Sequence, residues 1–111
     1  MSYRDPRGIR DVHDAAAYLD DVIGALADVG VQTDSVEIDA RHPLNGRLVV
    51  VEPGCPETIV LEWHRDDGWW LARRNRLGTH PTGWRMLSDD PRTAAADVAG
   101  QFRRDLRTVN A

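Results

Sequence analysis

The chain has no lysine, a single cysteine and no long hydrophobic run, and each of these absences removes a class of protein. One cysteine, Cys55, cannot close an internal disulfide and leaves no thiolate cluster for a structural zinc, so a reducing cytoplasm is the expected setting. Apolar runs such as residues 48–51 fall far short of the roughly 18 residues a membrane helix needs, and no apolar stretch follows the basic start; neither membrane insertion nor secretion is expected. All 14 basic residues are arginine, a bias that fits high-GC coding better than a need for guanidinium chemistry. Positive charge is itself in deficit. The formal net charge of −4 argues against a protein that coats nucleic acid, because non-specific affinity for phosphate accumulates with cations.

What is present is an ordinary globular mixture, 41% hydrophobic and 29% charged, in 111 residues, enough for one hydrophobic core and too few for two independent domains. Residues 1–10 lack apolar periodicity and contain Asp5-Pro6-Arg7-Gly8, which predicts a flexible N-terminal arm ahead of a single domain over 11–109. Val12, Ala15, Ala16, Leu19, Val22, Ile23 and Leu26 then recur at three- and four-residue spacing, the stripe of a helix with one buried face. Asp11 is placed to cap its start and Gly30 to follow its end.

From Val31 the period changes to two. Val36 and Ile38 alternate with Glu37 and Asp39, predicting a strand over 31–39. Turn chemistry at His42-Pro43-Leu44-Asn45-Gly46 separates it from a second strand over 47–52, and Pro53-Gly54-Cys55-Pro56 closes that one. Third and fourth strands are expected over 58–65 and 69–74, joined by Asp66-Asp67-Gly68, and a short fifth over 84–87 after a loop at 75–83. Ser88-Asp89-Asp90-Pro91 has the composition of a helix start, with proline in the first turn, and Ala95, Val98, Ala99, Phe102, Leu106 and Val109 form a second apolar stripe. The expected fold is α+β: helix, antiparallel meander of four or five strands, helix, a two-layer sandwich with both helices on one face and the other face left to water or a partner.

No motif for catalysis, metal or cofactor stands out. His13, His42, His64 and His80 are scattered without ligand spacing, and Cys55 sits in a tight turn without a catalytic signature. The acidic pairs Asp20-Asp21, Asp66-Asp67 and Asp89-Asp90 are accounted for by a solvated helix face, a hairpin loop and a helix cap. The informative stretch is 63–85, which holds all four tryptophans together with Arg65, Arg73, Arg74, Arg76 and Arg85. Aromatics interleaved with arginine can stack bases and bind phosphate, or can make a core with a solvated edge.

Hairpin register decides between these uses. A three-residue Asp66-Asp67-Gly68 loop pairs Arg65 with Trp69, His64 with Trp70 and Trp63 with Leu71, gathering Ile59, Leu61, Trp63, Trp69 and Leu71 on the core face. A two-residue Asp67-Gly68 turn would instead bring Trp70 to the core side and leave Arg65 and Arg74 there, which disfavours it. In the favoured register Glu62, His64, Trp70 and Arg74 share the opposite face, where an indole needs cover from the protein's own loop, from a partner or second copy, or from a nucleic acid or other anionic ligand. The expected function is a non-catalytic interaction domain, an adaptor, regulator or inhibitor, that binds another protein or a second copy through the open face or the Arg-rich loop. Its candidate binding residues are Glu62, His64, Trp70, Arg73, Arg74 and Arg76; a small-ligand or nucleic-acid module built on Trp70 and the 73–76 region is the alternative.

Leu61-Glu62-Trp63 and Gly68-Trp69 flanking a short acidic turn, followed by Pro91 ahead of Val98-Ala99, resemble small actinobacterial α+β domains of unknown function. The resemblance spans about residues 15–106 and implies the α+β meander and a high-GC bacterial source. It implies no activity.

Overall fold

A computed structural model describes residues 9, 11–41, 44–51, 58–74 and 81–110, with side chains up to 105. α1 (Val12–Asp28) precedes β1 (Gln32–Asp39), β2 (Asn45–Val51), β3 (Thr58–His64), β4 (Gly68–Arg74) and β5 (Thr82–Ser88), and α2 (Ala95–Asn110) follows. The five strands make one antiparallel sheet in sequence order, as short connections between consecutive strands require. Both helices cover the same face and pack on each other, α1 toward the β1 edge and α2 toward the β5 edge. The α+β two-layer arrangement is the one the sequence predicts.

α1 starts where Asp11, in extended backbone, accepts the Asp14 N–H through its carboxylate at 3.0 Å. It ends with the N–H groups of Val29, Gly30 and Val31 turned back onto the carbonyls of Leu26 and Ala27. Its buried stripe differs from the expected one. Tyr18 joins Ala15, Leu19, Val22 and Leu26 inside, while Val12 is 38% exposed and Ala16 is exposed. The large ring is needed to reach the sheet: Tyr18 lies 5.8 Å from Trp63 and 6.1 Å from Trp69, centroid to centroid, in tilted geometry.

Three boundaries move for physical reasons. Asn45 and Gly46, expected in a turn, belong to β2 and pair with Asp39 and Ile38. A Cβ at Gly46 would stand 2.6 Å from the Leu19 side chain, so glycine here lets α1 approach the sheet. β5 is longer than expected, running from Thr82 and carrying irregularities on both sides of its pairing with Trp70 and Leu71. α2 starts at Ala95 rather than at Pro91. Residues 90–93 form a β-turn instead, closed by Thr93 N–H to the Asp90 carbonyl at 3.2 Å, with Pro91 at its second position. Core side chains hold this turn: Trp63 donates its indole N–H to the Pro91 carbonyl at 2.8 Å, and the Tyr18 hydroxyl donates to the Thr93 carbonyl at 2.6 Å.

The β3–β4 register is corrected by one residue on each strand. His64 pairs with Gly68, Trp63 with Trp69 and Glu62 with Trp70, and Asp67 N–H closes the turn onto the His64 carbonyl at 3.1 Å. The loop is therefore 65–67, and Gly68 opens β4 at φ +121°. Only glycine fits there, because the end of β5 passes over it and a Cβ would collide with the Ser88 carbonyl oxygen. Because the net slip between the strands is two residues, an even number, the alternation is preserved and every side chain keeps its predicted face.

Leu19, Val22, Leu26, Val98 and Phe102 are buried against Ile59, Leu61 and Trp63, while Ile23 is only partly buried at the rim. Leu106 and Val109, expected in the same stripe, have side chains outside the described residues, as do the turn at 53–56, Cys55, and residues 75–80 of the Arg-rich loop. Of the expected N-terminal arm only Ile9 is described, and it is buried in the core at 4% exposure.

Candidate functional site: the open sheet face

Strand alternation and register lay out the face away from the helices as rows across the sheet. One row runs Glu37, Arg47, Glu62, Trp70 and Met86 from β1 to β5; the next runs Ser35, Val49, Val60 and Ala72. A third brings Asp39, Asn45 and His64 together beside Gly68. Chemistry changes along the first row, polar from β1 to β3 and apolar over β4 and β5, while the second row is apolar from β2 onward.

The apolar part has a floor and a rim. Val49, Val60 and Ala72 are buried, the last two completely, yet they lie outside the cluster that packs under the helices. Around them Trp70 is half-buried, and Trp84 and Met86 on β5 are 40% and 44% exposed. Trp84 and Met86 stand two residues apart on one strand, with Trp70 directly across the ladder from Met86, so the exposed apolar side chains here are neighbours rather than single residues scattered over a surface.

Glu62 organises the polar part. Directly opposite it across the ladder, Arg47 donates from Nε at 3.0 Å and from its Nη2 to the same carboxylate oxygen, Oε2. Two residues along β3, His64 Nε2 meets the other oxygen, Oε1, at 2.8 Å. Each oxygen of a carboxylate whose side chain is 17% exposed thus has a guanidinium or imidazole partner, and Glu62 holds Arg47 and His64 in place. Toward β1, a shallow depression of about 630 Å³ is lined by Glu37, Asp39, Asn45, Arg47 and Glu62. At its end the side chain and backbone N–H of Arg41 hydrogen-bond Asp39, holding its carboxyl below the usual range and raising the guanidinium in turn. No group of three or more His, Cys, Asp or Glu among the described residues is placed to hold a metal ion.

Of the predicted site residues, the structure brings together Glu62, His64, Trp70 and Arg74 on one face. Trp70 stands opposite Glu62 and Met86, not opposite His64 as the expected register had it. Arg73 falls in the row of Ile59, on the helix-covered side, so it does not join Trp70 and Arg74 in one surface. Arg76 lies outside the described residues. Arg85, also in the Arg-rich stretch, has a structural role, tying β5 to α2 through Asp105: Nη2 donates to its carbonyl at 3.2 Å and Nε lies 3.4 Å from its carboxylate.

Sequence reasoning missed Arg47, Trp84 and Met86. The signal was there for Met86 and Trp84, which alternate with Arg85 and Leu87 along β5. Arg47 could be found only with the β2–β3 register in hand, since the pairing joins residues 15 apart in sequence. No helix among the described residues is long and apolar enough to cross a membrane. Compared with family models, curated proteins and solved structures, the chain matches none, so its function is read from this geometry alone.

Proposed function

We propose that the protein is a non-catalytic interaction domain that docks a protein partner on the open sheet face, centred on Trp70, Trp84 and Met86. The observation that carries this is a five-stranded sheet with both helices on one side, whose other side exposes Trp84 and Met86 over the buried floor of Val60 and Ala72. A protein surface removes such apolar area from water without needing the deep concavity a small ligand requires. Trp70 and Met86 supply the large contact area typical of interface centres, and Arg47, Glu62 and His64 form a polar border that sets orientation.

The test pairs sedimentation of the purified chain with reconstituted binding to any partner retained from its native host, comparing the wild type with Met86→Glu. Self-association or partner binding that falls by at least about tenfold in Met86→Glu, with an unchanged melting temperature, supports the docking face. A chain that stays monomeric and whose partner binds Met86→Glu as tightly as wild type removes it.

A further inference from the structure

Charge is distributed along this chain very unevenly. Residues 11–40 contain eight aspartates and glutamates and neither arginine nor lysine, so every cation of the protein lies outside this segment. The segment is α1 and β1, which pack together at one edge of the sheet and form one strongly negative flank. Helix stability does not account for the pattern. Asp14 in the first turn suits the helix dipole, but Asp28 stands in the last turn, where an anion is disfavoured and where α1 has no basic residue.

The same flank carries an apolar groove. Between α1 and β1 a depression of about 330 Å³ is lined by Ala16, Ala17, Leu19, Ile23, Val36 and Ile38, with Asp20 at its rim. Val36 is 47% exposed, and Ile23 and Ile38 are only partly covered. Small side chains at Ala16 and Ala17 keep the wall low enough for another backbone to approach. Across the groove β1 is an edge strand, paired only with β2 and irregular at residues 33–35, which blunts it for strand addition and leaves its side chains as the accessible feature.

We propose that this groove docks an amphipathic, arginine- or lysine-rich helix of a partner protein, a site separate from the open face. The helix would lie beside α1 as a third member of the helical layer, placing apolar side chains at three- and four-residue spacing against Ile23, Val36 and Ile38. Its cations would meet Asp20 at the rim, within the negative field to which the other carboxylates of α1 and β1 contribute. Charge complementarity selects this occupant: an acidic helix would meet the same carboxylates as repulsion, and a second copy paired symmetrically through this flank would bring equally acidic residues.

Two synthetic helical peptides serve as probes, with identical leucine faces and either lysine or glutamate on the polar face, titrated into the full chain while its backbone amide resonances are followed. The lysine peptide is expected to shift amides of α1 and β1, around Ile23 and Val36, and to leave β4 and β5 unmoved. Its affinity should fall at least about tenfold with Asp20→Arg and again with added salt, while the glutamate peptide binds at least tenfold more weakly. Val36→Thr, which keeps a β-branched strand residue, should weaken binding without changing the melting temperature. Shifts confined to β4 and β5, equal binding of both peptides, insensitivity to Asp20→Arg, or no binding at low salt each overturn the groove. Because Met86→Glu lies on the other side of the sheet, loss of either site leaves the other testable.

Discussion

The two faces of the sheet are built from the same kinds of residue and use them differently. Under the helices Trp63 and Trp69 are completely buried, and each indole N–H has an acceptor: the Pro91 carbonyl for Trp63 and, at 3.0 Å, the Tyr18 hydroxyl for Trp69. Tyr18 passes the chain on to the Thr93 carbonyl, so a helix, a strand and the turn before α2 are joined by one buried relay. On the open face Trp70 is half-buried and Trp84 is 40% exposed, and among the described residues neither indole N–H meets a protein acceptor. Tryptophan content alone therefore does not separate a core from a contact surface. The fate of the indole N–H does, because a buried donor without a partner is costly and an exposed one can wait for water or another molecule.

The largest effect should come from the covered face. Trp69→Ala removes a completely buried ring and strands the Tyr18 hydroxyl as an acceptor, and a loss of about 3–5 kcal/mol in unfolding free energy is expected from denaturant titration. Phe102→Ala, in α2 over the same core, belongs to the same range. A loss below about 1 kcal/mol in either variant would mean that the helix layer does not carry the stability of the fold.

Next comes the relay itself. Tyr18→Phe keeps the ring and deletes the hydroxyl, leaving the Trp69 N–H and the Thr93 carbonyl unsatisfied, for an expected cost of about 1–3 kcal/mol. Burial pushes the phenol up to about 12, opposed by the Trp69 hydrogen bond. Since the folded value lies above the unfolded one, near 10, the stabilisation is complete below pH 10 and is lost as pH rises toward 12, where the unfolded state releases its proton first. Tyrosinate absorbance in a Tyr3→Phe background, which leaves Tyr18 as the remaining tyrosine, should rise only as the protein unfolds in that window. Ionisation near pH 10 with the fold intact would show that the hydroxyl is open to solvent.

How much of this was legible in the sequence depended on whether the determinant was periodic or long-range. Element types and the α+β order follow from the switch between periods of 3.6 and 2, and the face of each β3 and β4 residue follows from alternation, which survives the register error because the slip is an even two residues. The relay was not legible. Tyr18, Trp69 and Thr93 are 51 and 75 residues apart along their two bonds, and tyrosine fits an amphipathic stripe only when its hydroxyl has somewhere to go. The start of α2 was misplaced for the same reason: Pro91 fits a first turn locally, and only the tryptophan and tyrosine beneath it fix a β-turn there. The candidate site was half legible, since Trp70 and its neighbours share a face as expected, whereas Arg73 lies on the other side.

A smaller effect is expected from the polar border of the open face. Glu62→Gln keeps the shape and removes the charge between Arg47 and His64, in a site partly open to water, so a cost of at most about 1 kcal/mol is expected. The loss should shrink further at high salt, which a buried pair would not show. Unfolding midpoints measured at two ionic strengths decide between these.

The smallest stability effect sharpens the comparison most, because it concerns the residue next to Trp69. Trp70 faces away from the helices, with Glu62 and Met86 as its cross-strand neighbours, so truncation gives up pair contacts on a solvent-facing surface and opens no closed cavity. Trp70→Ala should therefore cost no more than about 1 kcal/mol in the monomer, several-fold less than Trp69→Ala one position earlier. Its consequence should appear in association instead: partner or self-binding weakened by tenfold or more, read by sedimentation at matched concentrations. If both tryptophan variants lose stability equally and Trp70→Ala leaves association unchanged, the two faces are not different in kind, and Trp70 belongs to the core.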